Sequence, residues 1–319
     1  MSRRALLFAF ALAACSALVR AEKFDTKTVS FAVAVHDVTA AYRDFSMFAL
    51  PDARVAIDAV GGPPGDYALD AKDGIVEPLS VRKWRWTAPM RPGTYALKLH
   101  GPGGKDTVTL HAFVLVPFKQ VKHGWLNGYR IGEYPPPLKD HSGNPLYLPP
   151  PGFVEVTRDN EHTKVSPHFE LMQFVCREDT TPKYPKYVVV RERLLLDLEA
   201  VLERVNALGF TADTLHVMSA YRTPYYNHAI GDVRYSMHQF GGAADIFIDP
   251  GNKGRMIDLN GDGVVDLGDS KFLYDEIDRM LETPPYQRFQ GGLGFYRGTS
   301  AHPPFVHLDV RGTRARWQG

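Results

Sequence analysis

The chain has 319 residues, enough for about two domains and too many for one small module. Hydrophobic residues at 44 % and charged residues at 23 % exclude a disordered chain, and a formal net charge of +1 gives no general attraction for nucleic acid or an anionic membrane. Only two cysteines are present, Cys15 and Cys176, so neither a disulfide scaffold nor a cysteine-rich zinc module can be built. A transition metal would have to be held by histidine and carboxylate, which directs attention to the 12 histidines.

The N-terminus reads as an export signal over residues 1–21. Arg3 and Arg4 precede an apolar run from Ala5 to Ala14 that is too short to span a bilayer. Two processing readings stay open. Leu12-Ala13-Ala14-Cys15 resembles a lipobox with a lipid anchor at Cys15, whereas Val19-Arg20-Ala21 before Glu22 suits ordinary signal peptidase. Either way the expected location is the periplasm or cell envelope, with no transmembrane helix in the mature chain.

Residues 28–118 show short alternating runs between turn signals. Val29 to Val35, Arg54 to Ile57, Trp84 to Trp86, Thr94 to Leu99 and Thr107 to Val116 are separated by stretches such as Gly61-Gly62-Pro63-Pro64-Gly65 and Arg91-Pro92-Gly93. This spacing predicts an Ig-like β-sandwich of about seven strands. Trp84 and Trp86, two apart on a strand, are read as core residues rather than a ligand face. A proline-rich linker is expected over 119–151, extended and surface-lying, because Pro135-Pro136-Pro137 and Pro149-Pro150-Pro151 support neither helix nor central strand. Within it, Tyr129 to Gly132 could still pack on the second domain.

That second domain, of α+β type, is expected over 152–319. Leu194, Leu195, Leu198, Val201, Leu202 and Val205 recur at helical spacing, with Gly209 just past the end. His216-Val217-Met218 reads as a buried strand. His238 then falls in a loop, Asp245 opens the strand Asp245 to Ile248, and Phe305 to Val310 is a further strand carrying His307. Gly241 and Gly242 permit a tight turn between His238 and Asp245. Two imidazoles and a carboxylate suit zinc, and three protein ligands would leave a fourth position for water. A lone histidine on a strand is ordinarily a core or surface residue; only the combination points to a metal.

That combination is Ser219-x-Tyr221-Arg222-Thr223-Pro224, then Ser236-x-His238-x-x-Gly241-x-Ala243-x-Asp245, then His302-x4-His307-x-Asp309. With these motifs in order, roughly Ser166 to Arg316 resembles the zinc D-Ala-D-Ala carboxypeptidases and D,D-dipeptidases, cell-wall metallopeptidases sharing their core fold with hedgehog signalling domains. The resemblance implies His238, Asp245 and His307 as zinc ligands. It implies Arg222 as the arginine that contacts substrate and stabilises charge, and Ser236 as the serine near the substrate's end. Some members of that family carry an acidic residue three before the last ligand, where this chain has Pro304. Others carry a histidine five before it, here His302, which becomes the expected general base. Asp309 is expected to orient a ligand rather than bind zinc. The implied activity is zinc-assisted hydrolysis of D-Ala-containing peptide bonds in peptidoglycan stem peptides by a monomer, as carboxypeptidase or endopeptidase. The alternative is a zinc-containing protein that binds cell-wall peptides without cleaving them.

Between the second and third ligands lies a calcium-loop pattern over 258–269. Asp258, Asn260, Asp262, Asp266 and Asp269 take loop positions 1, 3, 5, 9 and 12, Gly263 stands at 6, and Val264 would offer its carbonyl. Asp269 in place of glutamate resembles dockerin-type loops, and a single loop points to structural calcium; a polar Asp/Gly turn is the plainer alternative. Phe272, Leu273, Ile277, Met280 and Leu281 mark the exiting helix. The remaining histidines, His168 and His228 among them, have no partner readable in the sequence.

Overall fold

The computed structural model describes residues 24–137, 144–178 and 183–319; the expected export signal and Cys15 lie outside them. Nine strands come first in the chain: β1 (Thr28–Val35), β2 (Val38–Tyr42), β3 (Asp44–Ala49), β4 (Arg54–Val60), β5 (Ala68–Ala71), β6 (Ile75–Ser80), β7 (Lys83–Thr87), β8 (Gly93–His100) and β9 (Thr107–Val114). They form a five-stranded sheet, β2-β1-β4-β7-β6, and a four-stranded sheet, β3-β9-β8-β5. Strand alternation decides what is inside. Phe31, Val33 and Val35 of β1 are buried, as are Val55 and Ile57 of β4 opposite Trp86 and Trp84 of β7. Leu97 and Leu99 of β8 are buried opposite Leu110 and Val108 of β9. Both tryptophans are therefore core residues, and the buried side chains of the two sheets belong to one cluster.

The described part of the expected linker is not wholly surface-lying. After β10 (Val116–Pro117), β11 (Trp125–Leu126) and β12 (Tyr129–Arg130) form a small antiparallel pair, and Leu126, Ile131 and Tyr147 are buried. Gly132 packs so closely on the Tyr225 backbone that a Cβ would collide with it, and Tyr134 hydrogen-bonds Tyr221 through their hydroxyls at 3.1 Å. Among the described residues helix here is limited to short 3-10 turns such as Pro145–Tyr147, and apolar residues between the prolines still find a core. β13 (Gly152–Val156) joins β10 to the later β16 (Lys186–Val188), with the short pair β14 (Lys164–Ser166) and β15 (Phe169–Glu170) between them in sequence.

Helix α1 (Glu192–Ala207) buries the leucine and valine stripe seen in the sequence. His168, without a partner readable from the sequence, pairs with its buried Glu199 at 2.6 Å. The helix also meets the first half of the chain: His36 contacts Glu192 at 2.9 Å, Arg193 contacts Asp37 at 2.8 Å, and the Tyr42 hydroxyl donates to Glu203 at 3.1 Å. The remaining elements are β17 (His216–Ser219), α2 (Pro224–Ala229), β18 (Ala243–Phe247), α3 (Leu267–Leu281), β19 (Gly292–Tyr296), β20 (Phe305–Asp309) and β21 (Ala315–Gln318). Their five-stranded sheet has the order β17-β18-β20-β19-β21, antiparallel except for the β19–β21 pair, and α3 packs on β19 and β20. The architecture is mixed α+β with several sheets. No helix among the described residues is long and apolar enough to cross a membrane.

Candidate metal centre

One row of residues crosses all five strands of the last sheet. Ser219 stands opposite Asp245, Asp245 opposite His307, His307 opposite Gly294, and Gly294 opposite Trp317. The register shift between Val217 and Ser219 is a local irregularity of the kind that re-aims a side chain. Because side chains alternate between faces, this row shares a face with Phe305 and Tyr296, one pleat along. His238 comes from the turn Met237–Phe240, not from an open loop. That turn ends at Gly241 in the left-handed region (φ 68°), where a Cβ would strike the Val189 backbone.

His238 Nε2, Asp245 Oδ1 and His307 Nδ1 converge. Nε2 of His238 lies 3.1 Å from Nδ1 of His307 and 3.2 Å from Oδ1 of Asp245, and His307 Nδ1 lies 2.9 Å from that oxygen. A tetrahedral ion with bonds of about 2.0–2.1 Å holds its ligands about 3.3 Å apart, so the triangle fits a small cation. Among the described residues this buried trio is the only such cluster of histidine, cysteine or acidic groups. It could hold a metal ion.

The surroundings fix which atoms face the centre. His238 Nδ1–H donates to the Ala220 carbonyl at 2.6 Å, leaving Nε2 to ligate. His307 Nε2–H donates to Asp309 at 3.1 Å, leaving Nδ1. Asp309 is held in turn by the Gly292 and Arg311 N–H groups at 2.9 and 3.0 Å and by the Arg311 guanidinium at 2.8 Å. It therefore stands behind a ligand, where such carboxylates orient an imidazole. Burial opposes charge on His307, yet hydrogen bonds to Asp245 and Asp309 overcome it and lift its pKa to about 9. Burial also works against ionised Asp245, but His238 and Arg222 hold its carboxyl well below the usual range. Burial lowers the pKa of His238, against the pull of Asp245.

Arg222 is committed to this framework. Its Nε donates to Ser219 Oγ at 2.9 Å, one terminal nitrogen to Asp232 at 2.7 Å, and the other to Asp245 Oδ2. It thus holds Asp245 in place and still lines the open depression of about 490 Å³ above the trio. Neighbouring Thr223 accepts from the Tyr226 N–H at 3.0 Å to cap α2, with Pro224 in the first turn, so part of the Ser-x-Tyr-Arg-Thr-Pro motif is helix-starting chemistry. Ser236 lines the same depression. His302 does not: it lines a neighbouring depression with Arg255 and Arg297, donates Nδ1–H to the Pro303 carbonyl at 2.9 Å, and stands edge-on to Phe305. The sequence reading missed Asp232, Tyr296, Arg311 and Trp317, which all line the metal-side depression. No spacing signal marks them, because strand pairing and a turn bring them there.

The loop 258–269 adopts hydrogen bonds of its own. Asp258 accepts from the Gly261 and Gly263 N–H groups at 2.7 and 2.8 Å, Asn260 from Asp262 at 2.9 Å, and Asp262 from Val264 at 2.9 Å. Asp266 caps α3, and the fully buried Asp269 accepts from Leu259 and Asp266 at 2.6 and 2.7 Å. The loop gathers no carboxylate trio like that at His238. No family model and no curated protein matches this chain.

Proposed function

We propose that this chain is a zinc metallopeptidase acting on D-Ala-containing peptide bonds of peptidoglycan stem peptides outside the cytoplasm. The observation that carries the reading is the closed trio of His238 Nε2, Asp245 Oδ1 and His307 Nδ1 beneath an open depression, with each imidazole's far nitrogen occupied. His238, Asp245 and His307 would hold the zinc. When bound, zinc supplies a water activated near neutral pH and a Lewis acid for the scissile carbonyl. Arg222 keeps Asp245 ionised and aimed, and Asp309 keeps His307 turned. Ser236 and the remaining N–H groups of Arg222 offer donors to a substrate carboxylate.

Asp232 is the one other carboxylate lining the depression among the described residues, and we assign it the proton-accepting role that was expected of His302. Calcium in the 258–269 loop would be structural, tying down the segment before α3. The competing reading, a zinc protein that holds peptides without cleaving them, draws on the placement of His302 outside the depression.

The test is zinc-dependent cleavage of a panel of muropeptides by the wild type. Turnover that disappears in His238→Ala, survives in His302→Ala and falls about 10²-fold or more in Asp232→Asn supports the proposal. Muropeptide binding without cleavage in the zinc-loaded wild type would select the binding reading.

A further inference from the structure

Four aromatic side chains border the metal-side depression: Tyr235, whose hydroxyl donates to the Pro136 carbonyl at 2.7 Å, and Tyr296, Phe305 and Trp317, which pack on one another. Their placement is over-determined. Tyr296 stacks on Phe305, its partner across β19 and β20, with ring centroids 4.5 Å apart and planes 5° from parallel. Trp317 reaches over Gly294, where any Cβ would collide with the indole, and brings its ring 5.2 Å from that of His307. Gly319 donates its N–H to the Phe295 carbonyl at 3.0 Å and lies against the Tyr296 ring so closely that a Cβ would clash.

The polar ends of these rings decide their chemistry. An indole N–H can only donate. Trp317 Nε1–H lies 2.6 Å from the Tyr296 hydroxyl oxygen, which must therefore accept. The hydroxyl's own hydrogen is left to donate elsewhere, and no acceptor takes it among the described residues. Tyr296 lines the depression together with Asp245, Asp232 and Arg222, which places it at the working side of the sheet. Accepting one hydrogen bond also strengthens the next bond a hydroxyl donates.

We infer that Tyr296 is a catalytic hydrogen-bond donor whose hydroxyl binds the substrate oxygen that gains negative charge as the peptide carbonyl becomes tetrahedral, and that Trp317 is the positioning residue that turns this hydroxyl toward the depression. The inference rests on the peptidase reading above and adds an oxyanion contact to it. No proton leaves Tyr296; the bond strengthens as charge develops and weakens as it collapses. Phe305 and Gly294 serve the pair, one as a stacking plate and the other as the gap that lets the indole through.

The experiment uses zinc-loaded full-length protein with Tyr296→Phe, Trp317→Phe and the double variant. Tyr296→Phe keeps the stacked ring, so zinc content and melting temperature stay at wild-type values. Its kcat on a cleaved muropeptide falls about 10²- to 10³-fold with KM little changed. Trp317→Phe loses less, and in the Tyr296→Phe background it costs nothing further, because the indole acts through the hydroxyl. A readout independent of turnover is calorimetric binding of the phosphinate analogue of D-Ala-D-Ala, a stable tetrahedral anion. Tyr296→Phe weakens it about 10- to 100-fold, the range of a hydrogen bond to a charged group. Wild-type phosphinate affinity and wild-type kcat in Tyr296→Phe overturn the inference. If the wild type binds phosphinate through Tyr296 yet cleaves no muropeptide, the oxyanion contact stands and the peptidase reading falls.

Discussion

At the scale of single residues, the site depends on atoms that do not touch its centre. Asp309 presents a carboxylate to His307 Nε2 while four N–H groups of Gly292 and Arg311 hold it in place. Asp309→Asn therefore leaves the trio intact but allows the imidazole to turn, and should lower zinc affinity about 10- to 100-fold in a competitive chelator titration. Arg222 plays the matching part for Asp245. The trio that could hold a metal ion was legible in the sequence because a turn and two strands carry it in compact motifs. Tyr296 and Trp317 were not: β19 pairs with β20 and with β21 through contacts that no local spacing encodes. His302, five residues before His307 in sequence, lines a different depression from the one above the trio.

At the scale of elements, the segment before α3 shows one residue pattern carrying two meanings. Asp266 as helix cap and Asp269 in the first turn form a reciprocal capping arrangement, and Asp269 also binds the Leu259 N–H. Asp269→Ala strands the buried Leu259 N–H and removes the partner of the Asp266 N–H, and should cost about 1–3 kcal/mol in urea unfolding even with EGTA present. Asp262, exposed in the loop, serves as the contrasting probe. Its replacement by alanine should change unfolding little in EGTA, yet remove any calcium-induced rise in melting temperature. Equal calcium stabilisation of the wild type and Asp262→Ala would exclude the loop as the calcium site. Helices α1 and α3 and strands β17 and β20 were readable from periodicity. The first sheets hold more strands than the expected seven because β2 and β3 succeed each other across a single residue, and β6 carries Pro78 with exposed Ile75 and Leu79 at an edge. Turn signals and alternation fail at such places.

At the scale of the whole molecule, the two halves are joined by packing and by ionic contacts on α1. His36 Nδ1 lies 2.9 Å from Glu192, a hydrogen bond that raises its pKa above the ordinary 6.5 against the opposing effect of burial. A pKa higher in the folded than the unfolded state stabilises while the imidazole is charged in both, below the unfolded value, and this contribution is lost as pH rises through the folded value. The melting-temperature difference between wild type and His36→Gln should thus be largest near about pH 5.5 and shrink toward about pH 8.5. A difference independent of pH would show that the contact contributes packing alone. At the same scale, buried Leu126, Ile131 and Tyr147 show that the described residues of the proline-rich stretch contribute to the packed interior instead of lying wholly on the surface.

The row from Ser219 through Asp245, His307 and Gly294 to Trp317 makes the last sheet a ruler as well as a support. Sliding one strand by the two residues that preserve its facing would carry a ligand about 6.6 Å along the sheet, far beyond the reach of a metal bond. A bound ion can therefore tolerate only one alignment of β18 and β20, and it penalises slippage that backbone pairing alone would permit. Loading the site should slow amide hydrogen exchange along β18 and β20 far more than in β1 or β8, so that the ion acts as a lock on strand alignment.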